Sequence, residues 1–230
     1  MKRLITKLGL LTILLVGLSG CYLKSVHPLF DEENAVFIEG LDGVYETEDY
    51  RWTFASDNNP EMLQHLITVL DDMDPDMEVD SADTESLDFK GYLIMYENLQ
   101  DLDKKPDLFI GTAGEIGGRQ FLNLQLFDMS DDEATLVQRH IFNINTFSRI
   151  SLTEEELVME PFASDWISEQ IRNHRVRIKH EVVKNIADDG SGILITASTK
   201  ELQAFVEKYK DEEDAYEDPI KLKRVTNAVQ

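Results

Sequence analysis

Cysteine is almost absent from this chain, whose 230 residues include only Cys21. A single thiol excludes an intramolecular disulfide and a zinc site built from several cysteines. Basic residues are scarce as well: 22 lysines and arginines stand against 45 aspartates and glutamates, which gives a formal net charge of −23. Because nucleic-acid binding requires a basic surface, this composition predicts no nucleic-acid partner.

Long apolar runs are also lacking. The run from Leu8 to Leu18 is shorter than the about 20 apolar residues that a membrane-spanning helix requires. Basic residues precede this run, and it ends in Leu18-Ser19-Gly20-Cys21. A charged start, a short apolar middle and small residues before a cleavage site are typical of a secretory signal peptide. The cysteine at its end resembles the signal of bacterial lipoproteins, so we expect lipidation of Cys21 once residues 1–20 are removed.

The lipoprotein signal predicts a location. Acyl chains on Cys21 are expected to anchor the protein in a membrane, since two or more such chains bind stably. We expect the protein to lie in the cell envelope and to face the periplasm. Tyr22 stands where the aspartate linked with inner-membrane retention would be, which favours the outer membrane. The mature chain then divides into a lipid-anchored tether, residues 21–42, and a single β-rich domain, residues 43–230, with C-terminal helices and a polar tail.

Alternation of apolar and polar residues predicts strands over most of the domain. A hairpin is expected at residues 43–54, where Tyr50, Trp52 and Phe54 alternate onto one face. Residues 60–70 fit either a helical face or a strand, and the β-rich sequence Leu66-Ile67-Thr68-Val69 favours a strand. Further strands are predicted at residues 89–96, 108–112, 120–127, 136–152 and 156–162, with a turn at residues 114–118.

Two helices are predicted near the C-terminus. Residues 164–173 carry apolar side chains at helical spacing. A capping box formed by Ser198 and Glu201 opens a second helix that runs to about Tyr209. The predicted fold class is therefore mainly β (α+β by count): a single antiparallel β-barrel or sandwich with two C-terminal helices, for which a lipocalin-like barrel is one form.

Three segments of the chain resemble uncharacterised bacterial envelope lipoproteins. They are residues 25–30 (Ser-Val-His-Pro-Leu-Phe), residues 41–45 with 52–54 (Leu-Asp-Gly-Val-Tyr and Trp-Thr-Phe), and residues 194–205 (Leu-Ile-Thr-Ala-Ser-Thr-Lys-Glu-Leu-Gln-Ala-Phe). The resemblance implies an envelope location and a single domain, and it assigns no activity. Gly43-Val44-Tyr45 also resembles the Gly-x-Trp opening of lipocalin-type barrels, with tyrosine in place of tryptophan.

An acidic stretch has the spacing of a calcium-binding loop. Side-chain oxygens fall at positions 1, 3, 5, 7, 9 and 12 of such a loop: Asp72, Asp74, Asp76, Glu78, Asp80 and Asp83. However, Met77 occupies position 6, where the loop needs glycine for its turn, and Pro75 occupies position 4. We therefore predict a solvated loop without a specific metal site, and these six residues remain the candidate ligands.

A basic stripe stands out in so acidic a chain. Its candidate anion-binding residues are Arg172, Arg175, Arg177 and Lys179, which His174 and His180 accompany. Guanidinium and ammonium groups at this density suit a phosphate or a lipid headgroup. The alternative is the solvent face of a strand at residues 176–183, with Val176 and Ile178 buried on the other face.

No catalytic motif is recognisable. The histidines lack the His-Glu-x-x-His spacing, and glycine-rich residues 111–118 lack both the Walker lysine and the dinucleotide spacing. No cofactor is expected. The sequence favours a non-enzymatic, lipid-anchored envelope protein whose partners are the membrane and either an envelope protein or an apolar small ligand. The alternative is a periplasmic hydrolase with a carboxylate pair, which cannot be singled out among 45 acidic residues.

Overall fold

The computed structural model describes residues 22–73, 90–101, 104–127, 143–184 and 191–225. These residues form a closed antiparallel β-barrel of eight strands, with further strands and three helices outside it. The prediction of a mainly β fold with a barrel and two C-terminal helices is confirmed. None of the described helices combines the length and the apolar character that crossing a membrane requires.

The elements have the following bounds. The barrel strands are β2 (Gly43–Glu46), β3 (Tyr50–Ser56), β4 (Tyr92–Asn98), β5 (Asp107–Ile116), β6 (Arg119–Leu126), β7 (Asn145–Leu152), β8 (Glu156–Pro161) and β11 (Ile220–Arg224). The outer strands are β1 (Lys24–Ser25), β9 (His180–Lys184) and β10 (Ser191–Ile195). The helices are α1 (Pro60–Met73), α2 (Ser164–Arg172) and α3 (Thr199–Tyr209), and a turn of 3-10 helix covers Glu213–Ala215.

Pairings between strands that are distant in sequence close the barrel. Strand β11 inserts between β2 and β8, and β6 pairs with β7. The turn between β5 and β6 is shorter than predicted, because only Gly117 and Gly118 leave the strands; their φ angles of 57° and 76° suit a two-residue hairpin turn. At its start, β7 pairs with β1 instead of β8. Strand β10 pairs with β1, and β9 pairs with β10, so these strands extend the sheet outward.

Side chains fill the barrel interior. Alternate residues of the strands point inward, and Tyr45, Phe54, Tyr92, Ile94 and Leu122 are among those that are fully buried there. Pairs of aromatic rings meet edge to face, such as Tyr45 and Phe54 with centroids 5.6 Å apart. The described inward-facing side chains thus form an apolar core inside the barrel.

One end of the barrel, called the closed end, is covered by residues 36–42. Ile38 and Leu41 join the interior core, and the N–H of Ile38 donates to the hydroxyl of Tyr92 at 2.6 Å. Burial raises the pKa of Tyr92 to about 12. The guanidinium of Arg224 lies 4.7 Å from the ring centroid of Tyr45 and donates to the carbonyl oxygen of Asp42 at 3.2 Å. The last barrel strand thus holds the covering segment in place.

The opposite end, called the aromatic end, is where β3 begins and β4 ends. Its inward-facing aromatic rings form a continuous cluster that is only partly buried. Tyr50 lies 5.2 Å from Tyr96, Trp52 lies 4.7 Å from Tyr96, and Trp52 lies 6.2 Å from Phe109, each measured between ring centroids.

Helix α1 covers the outside of β2 to β5. Leu63, Leu66 and Leu70 are buried against the outward-facing residues of these strands. The predicted strand at residues 66–69 is therefore wrong: the helical spacing of the apolar residues outweighs their β propensity, because it lets one face be buried. The sequence also carries a helix start, since Pro60 is the first helical residue and Asn59 Oδ1 accepts the N–H of Met62 at 3.2 Å.

A second outer core covers β5 to β8. It is formed by α2, α3, the outer strands and the segment that the sequence assigns to a tether. In the described part of that segment, residues 22–42, the side chains of Leu23, Leu29 and Phe30 are buried. The Phe30 ring lies against Gly114, where an added Cβ would come within 2.3 Å of the ring. This segment is built into the fold from its first described residues.

Candidate functional site

A groove lies between the chain that follows α2 and one face of α3. Its volume is about 680 Å³. One wall is the end of α2 and the extended chain up to β9, with Ile171, His174, Val176, Arg177, Ile178, Lys179 and His180. The other wall is the α3 face with Glu201, Ala204, Phe205, Lys208 and Tyr209, which recur at helical spacing.

The end of α2 directs the chain along this groove. His174 has a φ of 57°, a left-handed conformation that is uncommon for a residue with a side chain. Its N–H donates to the carbonyl of Ile171 at 3.0 Å, and the N–H of Arg175 donates to the carbonyl of Gln170 at 2.9 Å. These two bonds make a Schellman motif with histidine in the place usually taken by glycine. The chain therefore reverses direction at His174 and runs beside α3.

The predicted strand at residues 176–183 is only partly correct. Regular pairing begins at His180, and residues 176–179 belong to no helix or strand. The N–H of Thr196 donates to the carbonyl of Lys179 at 3.0 Å, so the backbone is fixed next to β10. Before that point the side chains are free to face α3 rather than alternate across a sheet, and this opens the groove.

Lys179 is tied to the start of α3. Its ammonium lies 2.9 Å from a carboxylate oxygen of Glu201. The Ser198–Glu201 capping box forms as predicted, and the N–H of Ser198 donates to the Glu201 carboxylate at 2.9 Å. The hydrogen bond from Lys179 and those from Ser198 lower the pKa of Glu201 to about 2. Glu201 is thus an ionised partner that compensates the charge of Lys179.

Two further cations of the groove are not compensated in this way. Arg177 is exposed, and no hydrogen bond or ion pair to another described residue holds its guanidinium. The ammonium of Lys208 lies 4.8 Å from the ring centroid of Tyr209. Between these cations the floor of the groove is apolar, formed by Val176, Ile178, Phe205 and other side chains. The groove can therefore hold an anionic group at its rim and an apolar group on its floor.

Only two of the four predicted anion-binding residues line the groove. Arg177 and Lys179 line the groove, whereas Arg172 and Arg175 are exposed residues that are not part of its lining. Lys208 was missed by sequence reasoning, although its seven-residue spacing from Glu201 places both on one helix face. Phe205 is buried in the second outer core and also forms part of the groove floor, and Tyr209 is partly buried against the same core.

Two other grooves differ from this one in charge. A groove of about 490 Å³ is bordered by Asp31, Glu32 and Glu33. A groove of about 570 Å³ at the closed end contains Glu39 and Glu154 beside Arg224. Among these three grooves, only the one beside α3 presents more cations than carboxylates.

Most of the remaining predicted site residues lie outside the part of the chain that the structure describes. Cys21 lies outside the described residues, as do Asp74, Asp76, Glu78, Asp80 and Asp83 of the acidic stretch. Asp72 belongs to the last turn of α1, and nothing is described of its side chain. Within the described ranges, no three histidine, cysteine or acidic residues are grouped so that they could hold a metal ion.

Enclosed carboxylates are present, but at different places. Asp42 lies at the closed end, where burial raises its pKa and Ser56 donates to one of its oxygens at 3.1 Å. Glu97 lies at the aromatic end beside Arg51, and Glu160 is paired with Arg149 on the outside of the barrel. The part of the chain that the structure describes thus brings no two of these three into one cleft.

A comparison with known proteins adds no relative. No protein-family model matches this chain, and no match is found among the curated proteins or the solved structures.

Proposed function

We propose that this protein is a lipid-anchored protein of the bacterial cell envelope that binds a small ligand in the groove beside α3. The ligand class is an anion that carries an apolar body. The observation that supports this most is the combination of Arg177 and Lys208 above an apolar floor, in a chain whose formal net charge is −23. In so acidic a protein, two cations at the rim of one groove make a local positive site that attracts an anion.

The anchor rests on the sequence. The Leu18-Ser19-Gly20-Cys21 junction after a basic start and a short apolar run supports lipidation of Cys21. Cys21→Ser is expected to abolish the mature, membrane-bound form, while an equally conservative change at an exposed residue of the domain, Ser151→Ala, leaves it intact. Detergent partitioning of labelled cells measures this. Unchanged membrane association of the Cys21→Ser protein would contradict the anchor.

Ligand binding can be measured with the chain from residue 22 onward and octyl phosphate as the probe. Isothermal titration calorimetry is expected to show one saturable site. Replacing both Arg177 and Lys208 with alanine should weaken binding roughly 10-fold or more, since a hydrogen bond to a charged group contributes about 1.5–3 kcal/mol. The matched control replaces Arg172 and Arg175, which changes the net charge equally but lies outside the groove.

The two pairs of substitutions separate specific from general electrostatic binding. The proposal predicts that the control protein binds octyl phosphate as the unchanged protein does. Equal weakening by both pairs would show that only net charge matters, and it would contradict a site in the groove. Octyl glucoside, which has the same apolar chain and an uncharged head, is expected to bind much more weakly.

The partner-protein alternative and the hydrolase alternative have less support. Val182 and Val183 on the outer strand β9 are exposed, but nothing else in the described residues indicates a partner at that edge. An enclosed pair of carboxylates would favour the hydrolase, but among the described residues the enclosed Asp42, Glu97 and Glu160 lie apart. The carboxylates that share the other two grooves are exposed. The groove beside α3 therefore supports binding best.

A further inference from the structure

We infer that the barrel lies directly on the lipid surface and contacts it with its aromatic end. This inference rests on the lipid anchor at Cys21 proposed above. It adds the orientation of the domain and the residues that touch the lipid.

The folded chain begins one residue after the proposed lipid attachment site. Leu23 is buried, and its N–H donates to the carbonyl of Phe162 at 2.9 Å. Tyr22 forms an isolated bridge with Ala163. Successive Cα atoms are about 3.8 Å apart, so the Cα of Leu23 lies within about 8 Å of the Cα of Cys21. With no tether between lipid and fold, the surface around Tyr22 has to face the lipid headgroups.

Tyr22 lies at the aromatic end of the barrel. Its backbone is next to the chain that leaves β8 at that end, since Ala163 follows β8 by two residues. Glu217, just before β11, lies at the same end, since its N–H donates to the carbonyl of Pro161 at 2.8 Å. Burial chiefly raises the pKa of Tyr22, with a contribution from the Glu217 carboxylate. Burial also chiefly raises the pKa of Tyr96, and the Tyr22 phenol adds a small contribution to it.

Exposed apolar side chains surround the same end. Tyr50 at the start of β3 is 38% exposed, Leu126 and Phe127 at the end of β6 are 45% and 40% exposed, and Ile144 just before β7 is 37% exposed. Tyr22 itself is 42% exposed. Most of the large apolar side chains that the structure describes as exposed therefore form a rim around the end where the chain enters.

The chemistry of this rim suits the membrane interface. Tyrosine and tryptophan are enriched at the level of lipid headgroups, because their rings are apolar and their hydroxyl or N–H groups are polar. The rim carries Tyr22 and Tyr50, with Trp52 and Tyr96 just inside it. The acidic chain is not attracted to anionic headgroups, so the contact depends on the acyl chains and the rings, and it should not weaken in high salt.

The test uses the full chain, lipidated in cells and reconstituted into phosphatidylcholine vesicles. Cys21 is the only cysteine and is blocked by its lipid, so an introduced cysteine can be labelled with NBD selectively. One variant carries Tyr50→Cys at the aromatic end. The matched control carries Glu154→Cys, an exposed residue of the turn between β7 and β8 at the closed end. NBD emission and its reduction by dithionite report contact with lipid.

The inference predicts blue-shifted emission and loss of dithionite reactivity at position 50, and water-like behaviour at position 154. The difference should persist in high salt. A protein that floats with the vesicles but gives water-like signals at both positions would overturn the orientation and leave the anchor intact; the rim would then be free for a protein partner. A protein that does not float would overturn both the anchor and the orientation.

Discussion

Arg149 forms the most enclosed ion pair in the described part of the chain, and its replacement by methionine tests how the C-terminal half is held to the barrel. The Arg149 side chain is 9% exposed and forms two parallel bonds of 2.8 Å to the carboxylate of Glu160. It also donates to the carbonyl of Lys210 at 3.1 Å and lies 4.1 Å from the ring centroid of Tyr216. One guanidinium thus joins β7, β8 and the chain after α3.

Arg149→Met removes the donor and leaves the Glu160 side chain, which is only 20% exposed, without a partner. Breaking one partner of a buried pair costs about 3–5 kcal/mol. That is a large part of the roughly 5–15 kcal/mol that stabilises a typical domain. The matched control is Arg119→Met, since Arg119 pairs with Asp211 at 3.1 Å and both side chains are more than half exposed. A surface pair contributes about 0–1 kcal/mol, so the control should change little.

Urea unfolding of the chain from residue 22 onward measures both free energies. Adding Glu160→Leu to Arg149→Met removes the unpaired carboxylate, so the double variant should regain part of the stability. Equal losses for Arg149→Met and Arg119→Met would refute the reasoning, because burial would then have no influence on the strength of these pairs.

Three further changes test the packing and the groove by the same unfolding measurement. Gly114→Ala places a Cβ within 2.3 Å of the Phe30 ring and should lower the free energy of unfolding by about 1–3 kcal/mol. The control Gly192→Ala brings its Cβ within 4 Å of no other atom and should lower it little. Equal effects of the two changes would contradict the docking of residues 22–42 on the barrel. Phe205→Ala should cost about 3–5 kcal/mol, and an unchanged midpoint would show that this face of α3 is not core. Glu201→Gln should lower the stability at neutral pH. Because folding lowers the pKa of Glu201 from 4.5 to about 2, the stability difference between the two proteins should disappear as the pH falls from 4.5 to 2. A difference that does not change with pH would contradict the ion pair.

Local patterns predicted those elements whose stabilising contacts are local. The capping box of Ser198 and Glu201 forms where the sequence places it, and the apolar spacing behind it buries Leu202 and Val206. Helix α1 was also encoded locally, by Asn59, Pro60 and a helical apolar face, but a short β-rich stretch suggested a strand. The error came from weighting residue propensity above the spacing that decides which face can be buried.

Contacts between distant residues could not be read in this way. The barrel closes through β6 with β7 and β11 with β2, and neither register is visible in one strand alone. The groove depends on a left-handed histidine at position 174, where glycine would have been the recognisable signal. The reversal at His174 is what brings Arg177 to the same groove as Lys208. Because the sequence does not show this reversal, only Arg177 was predicted as a site residue.

The most direct test of the account is to locate the ligand on the domain. The ¹⁵N-labelled chain from residue 22 onward is titrated with octyl phosphate, and amide chemical shifts are followed by NMR. The account predicts shifts concentrated at residues 171–180 and 199–209, which the Arg177→Ala, Lys208→Ala double variant abolishes. Shifts concentrated at the aromatic end, spread over the whole barrel, or unchanged in the double variant would contradict a ligand site beside α3.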